Sequence, residues 1–222
     1  PLLAPPGEML LVLDEGHHIG NVAIGQGAAS LALDAMAKRT GRLQVLIAAA
    51  YRAVDKDTIG NLHPSEAIEM AARVSKLLKT FRDMMAMQWA PAADSLEPQW
   101  RAPEGRLPQD WMPAVHELAE DTRALFNWCH AATSLVAKGK DGDAAREKLQ
   151  RNLGLASEMV EGQHNLWSVW KREDAEGAPP MARWITQDRD GDFALHCSPV
   201  SAAHVLRTLL WKEIDSVVMT SA

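Results

Sequence analysis

Cysteine is scarce. Cys129 and Cys197 are the only two in 222 residues, and they lie far apart with no paired spacing. A disulfide framework is therefore excluded as the organising principle, and the usage fits a reducing cytoplasm. No apolar run approaches the roughly 20 residues that span a bilayer, so no membrane partner is expected. A basic stretch followed by a small-residue cleavage site is also missing after Pro1. Cations do not dominate: 23 basic residues against 29 acidic ones give a formal net charge of −6. That balance excludes a nucleic-acid coat over the whole surface and leaves room for a local basic groove. No internal repeat or low-complexity tract interrupts the chain. Hydrophobic residues make up 47% of it, enough for a substantial core.

The first apolar run, Met9 to Leu13, is short and continuous and ends in Asp14-Glu15-Gly16. A parallel strand buried on both faces reads this way, with its carboxyl end delivering acids to a crevice. A helix from about His18 is weakened by Gly20, Gly25 and Gly27. Good helix formers run from Leu43 to Val54. The spacing predicts a stronger helix over Pro64–Gln88, where Ile68, Ala71, Val74, Leu78, Phe81 and Met85 share one face. Pro64 suits its first turn, and Glu66 and Glu69 suit the positive end of its dipole.

Residues 90–113 carry five prolines and read as a long loop that Trp100 and Trp111 pin to a surface. A second helix, 113–138, has the stripe Leu118, Thr122, Leu125, Cys129, Ala132 and Val136. After a turn at 139–143, a third covers 144–171 with Leu149, Leu153, Ala156, Val160, Trp167 and Trp170 inward. Long helices joined by loops imply a bundle. Beyond Gly177, two short runs around Asp188-Arg-Asp-Gly-Asp192 form a hairpin signal. A helix at about 201–211 and a buried strand at 216–219 follow. The expected fold class is mostly α, a helical unit flanked by α/β pieces.

Chemistry concentrates at the two ends of this plan. Adjacent acids at a strand end cost desolvation unless something positive meets them. Magnesium held on nucleotide phosphates is a common answer, because hard oxygen ligands suit it. Asp14 would then hold the metal through water, and Glu15 would deprotonate the water that attacks the γ-phosphate. The small hydroxyls of Thr220 and Ser221, just past a second strand, can reach across the carboxyl edge of a sheet to a neighbouring strand end, with His17 as a natural partner.

Other signals point to structure. His17 and His18 are adjacent, so on a helix their side chains diverge by about 100° and seldom share an ion. Asp188-x-Asp190-Gly191-Asp192 has its glycine too early for a calcium loop and no closing glutamate. Cys129 lies on an apolar stripe, and Cys197 beside His196 has no third catalytic partner. Trp167, Trp170 and Trp211 suit a core, whereas Trp100 and Trp111 could stabilise the fold or stack on DNA. Lys138, Lys140, Arg146, Lys148 and Arg151 suit a solvated face better than a phosphate contact.

Leu10-Leu-Val-Leu-Asp-Glu-Gly-His-His-Ile19 resembles the DEAH-box segment of DinG, a superfamily 2 helicase related to XPD. The stretches from Gly177 to Trp184, Leu195 to Pro199, and Leu209-Leu-Trp211 with Val217 to Ala222 are similar to that family's return from an insertion and approach to its third helicase motif. The chain starts with Pro and stops just past an apolar run, which suits an internal segment. The resemblance implies a motor-domain segment at 1–29, a helical Arch domain at 30–176 that closes over single-stranded DNA, and a return to the motor at 177–222. It makes Asp14 the magnesium-binding acid, Glu15 and Asp14 catalytic, and His17 the link to Thr220 and Ser221. DNA-contacting residues stay unassigned.

The implied function is ATP-dependent, 5′-to-3′ translocation on single-stranded or forked DNA in the bacterial cytoplasm, in repair or replication. It is carried out together with the remaining helicase domains of the same protein. The family also carries a 4Fe–4S cluster. Two separated cysteines cannot ligate one, and no G-x-x-x-x-G-K-[ST] is present. This chain alone would then neither hydrolyse ATP nor unwind DNA. The rival readings are a helical interaction module that kept DEGH without a motor, and a DinG-like protein serving a CRISPR-associated system.

Overall fold

The computed structural model describes residues 6–53, 62–89, 99–138, 144–174, 177 and 179–221. The 139–143 turn, Lys140, Pro91, Pro98, Val54 and Ala222 of the closing motif lie outside the described residues. Element order is β1 (Leu10–Leu13), α1 (Ile19–Gln26), β2 (Ala29–Ala32), α2 (Leu33–Ala53), α3 (Pro64–Gln88), β3 (Gln99–Arg101), α4 (Met112–Ala137), α5 (Ala144–Lys171), β4 (Met181–Gln187), β5 (Phe193–Pro199), α6 (Ala202–Leu206) and β6 (Ser216–Met219). A single wide π turn, Arg207–Trp211, continues α6. The protein is mostly helical, with its strands in two small sheets.

The three long amphipathic helices form where the apolar spacing places them. In α4, all six residues of the expected stripe are buried. In α3, Ala71, Val74, Leu78, Phe81 and Met85 are buried, with Ile68 packed at the margin. Trp167 and Trp170 of α5 are buried as well. Phe81 meets Trp111 and Trp167 edge-on at ring separations of 5.5 Å, and Trp167 meets Trp170 at 6.2 Å. Edge-to-face packing suits the ring quadrupoles and adds about 1 kcal/mol per pair beyond area burial.

Two strands go beyond the sequence expectation. β2 and β3 flank the hairpin, giving the antiparallel order β2-β5-β4-β3. α2 also begins at Leu33 rather than near Leu43. The Asp192 carboxylate explains that start, because it accepts the N–H groups of Asp34 (2.9 Å) and Ala35 (3.3 Å) in the first turn. Asp188 accepts from the N–H groups of Asp190 and Asp192, so these hairpin acids serve backbone donors.

The inner face of the sheet joins the helices in one core, in which Leu31, Ile185, Phe193, Leu195 and Cys197 pack with Val74, Phe81, Leu118 and Trp167. The hairpin thus shares its core with the helices. Arg183 is buried beneath it. Its guanidinium bonds Asp174 at 3.1 Å and donates to the carbonyls of Val169, Arg172 and Gly105, closing the last turn of α5. β1 and β6 form a separate parallel pair, Leu10 against Ser216 through Leu13 against Met219.

Candidate functional site

The parallel pair brings the two sequence-distant motifs together. Its ladder extends past the strands, since the Thr220 N–H donates to Leu13 O (2.9 Å) and the Gly16 N–H to Thr220 O (2.8 Å). This places both strand ends at one edge. There the Thr220 hydroxyl donates to Asp14 Oδ1 at 2.6 Å. The same oxygen accepts the Glu15 N–H at 3.0 Å. These two bonds, the hydroxyl foremost, hold the Asp14 carboxyl below the usual carboxylate range.

His17 Nδ1 lies 3.0 Å from Ser221 Oγ and 3.2 Å from Glu15 Oε2. A carboxylate can only accept, so the contact with Glu15 requires the proton on Nδ1. Glu15 sits at φ 52°, ψ 46°, in the left-handed region that non-glycine residues seldom occupy. Such backbone costs on the order of 1–3 kcal/mol and persists only where its surroundings hold it. Here the surroundings are the Asp14 bond before it and the single helical turn Gly16–His18 after it, where the His18 N–H donates to Glu15 O. All five side chains are solvent-accessible.

Asp14 can hold a hard cation. Oδ1 is engaged, while Oδ2 accepts no hydrogen bond from the described residues. One free carboxylate oxygen beside a second acid matches the few protein ligands magnesium takes while keeping its waters. Among the described residues, no three His, Cys, Asp or Glu side chains gather into a metal-binding group.

The remaining candidates resolve into the fold. Cys129 is buried in the bundle, and burial pushes its thiol up to about 12. Burial likewise raises Cys197, so neither is poised as a thiolate. Trp111 is only 3% exposed and donates its indole N–H to Gln88. Trp100 packs against Trp111 at 5.2 Å, at the edge of the core. Both therefore stabilise the fold. From the basic cluster, Arg146 Nε donates to the Val136 carbonyl. Arg183 belongs to no motif in the sequence, yet it is buried. A lone cation on the inward face of an alternating strand, level with Ile185, was the available signal. No helix among the described residues is long and apolar enough to cross a membrane.

Along its whole length the chain is similar to bacterial proteins named ATP-dependent DNA helicase DinG. It is 29% identical over 242 residues to that of Escherichia coli (strain K12), 29% over 244 residues to that of Salmonella choleraesuis, and 23% over 244 residues to that of Photobacterium profundum. Each comparison covers 100% of this chain and 31–32% of the relative, so the chain spans about a third of the length of these helicases. No family model matches it.

Proposed function

We propose that this chain is the part of a DinG-type, ATP-dependent DNA helicase that carries its water-activating acid and the insertion beside the motor. One observation carries the reading: Asp14 and His17 are bonded to Thr220 and Ser221 across the carboxyl ends of adjacent parallel strands. This is where open α/β sheets place ligands. Residues 1–29 and 177–222 then belong to a RecA-like motor domain, and 30–176 form the Arch. The 181–199 hairpin packs against the long helices that this reading makes the Arch.

In this reading Asp14 would hold a magnesium ion. The ion, when bound, neutralises charge on the phosphates of ATP. Glu15 orients the attacking water and takes its proton. His17 restrains the Glu15 carboxylate and ties it to Ser221, so that movement of the closing strand is felt at the base. The phosphate-binding loop, the arginine finger and the 4Fe–4S cluster belong to other parts of the full-length protein, which translocates 5′-to-3′ on single-stranded DNA.

Glu15→Gln in the full-length protein tests the assignment. Nucleotide and DNA binding should persist while ATP turnover falls by at least about 100-fold, the low end for losing a general base. Near-normal hydrolysis would remove Glu15 from the chemistry.

A further inference from the structure

The outer face of the four-stranded sheet carries a row of polar and aromatic residues that neither the core nor the strand-end site uses. Register places Ser30 opposite His196, His196 opposite Trp184, and Trp184 opposite Arg101. Residues directly opposite on antiparallel strands project from the same face. The row therefore runs from a hydroxyl through two planar rings to a cation.

The rings are stacked, with centroids 5.0 Å apart and planes 10° from parallel. His196 is fixed by a 2.9 Å hydrogen bond between Nε2 and the Thr186 hydroxyl. One face of Trp184 is thus taken. On its β3 side a cavity of about 450 Å³ opens, lined by Gln99, Arg101, Ala102, Ala182, Arg183 and Trp184. The lining holds no carboxylate. Arg183 is committed to Asp174 and backbone carbonyls. Arg101 is exposed, and its guanidinium has no hydrogen bond or ion pair among the described residues.

We infer that this slot binds one nucleobase of single-stranded DNA, stacked on the free face of Trp184 with Arg101 on the neighbouring phosphate. A half-buried indole backed by a second ring is a rigid stacking platform. An adjacent unpaired guanidinium supplies the charge that an anionic strand requires. Gln99 at the mouth offers both a donor and an acceptor to a base edge. The choice of DNA rests on the helicase reading above, whereas the slot rests on the sheet register and the ring geometry.

Photocrosslinking the full-length protein to oligothymidylate carrying 5-iododeoxyuridine, followed by peptide mapping, tests the contact without any substitution. Crosslinks should map to Trp184. Anisotropy titrations should show Trp184→Ala weakening oligothymidylate binding about tenfold, Trp184→Phe less. Arg101→Gln should lower the slope of log affinity against log salt by about one. Should Trp184→Ala fail to fold, the crosslink map and Arg101→Gln decide. Crosslinks confined to other residues, with Arg101→Gln binding as wild type does, would overturn the slot. Oligouridylate competing as well as oligothymidylate would overturn the choice of DNA. Neither result touches Glu15, whose own test reads ATP turnover, so failure of the slot and failure of the helicase reading separate.

Discussion

The two sheets of this protein are stabilised in opposite ways. In the four-stranded sheet, Ile185, Leu195 and Cys197 are sealed against four long helices. In the two-stranded parallel sheet, every strand residue but Ser216 is apolar, yet within this chain Leu10 is 62% exposed, Val12 59% and Met219 59%. Within this chain, backbone bonds and five polar side chains define that pair, and burial contributes little. Parallel sheets ordinarily have both faces covered. The comparison separates what holds the molecule together from what places its chemistry. Within this chain, burial is concentrated on the helix-backed sheet, and the candidate acids sit on a strand pair that shares little of it.

The contrast breaks first under core truncation. Trp167→Ala removes a buried indole flanked by Phe81 and Trp170, and should cost about 3–5 kcal/mol in denaturant unfolding. In the 222-residue chain by itself, Val12→Thr, on the exposed pair, should stay within about 0.5 kcal/mol. Equal costs would mean that the parallel pair shares the core's stability and that the contrast is false.

A smaller effect sharpens it. Burial alone would raise Asp174, but its hydrogen bonds and charge pairing with Arg183 outweigh burial and leave its pKa lowered. A depressed carboxylate contributes stability above its unfolded pKa of about 3.9 and loses it as pH falls through the lower folded value. Thermal midpoints of the wild type should therefore drop on acidification below about pH 4 more steeply than those of Asp174→Asn. Parallel curves would show that the Arg183–Asp174 pair contributes nothing in that window.

Legibility in the sequence follows the same division. α3, α4 and α5 were legible because long helices repeat their burial pattern over many turns. β2 and β3 were not. Ala29-Ser-Leu-Ala32 has small side chains and Gln99-Trp-Arg101 only three residues, and each is a strand because a hairpin edge pairs with it. The first ten residues of α2 were hidden by Thr40 and Gly41. Yet Thr40 accepts a buried hydrogen bond from Gln163, and a Cβ at Gly41 would lie 3.2 Å from Ser75 Oγ. The glycine thus permits close packing of α2 on α3. At the site, residue types and order pointed to Asp14, Glu15, His17, Thr220 and Ser221 together. The left-handed Glu15 and the hydroxyl on Asp14 arise only from the folded backbone, which no residue type announces. Trp184 and Arg101 were invisible as neighbours, because facing partners appear only once register is known.

The central claim is that two segments 204 residues apart in sequence act as one unit through the His17–Ser221 contact. A double-mutant cycle on DNA-stimulated ATP hydrolysis by the full-length protein, with His17→Ala, Ser221→Ala and both together, tests it most directly. If the contact couples them, the double variant should be no slower than the slower single. Losses that multiply would show that the two residues act independently and would contradict the account.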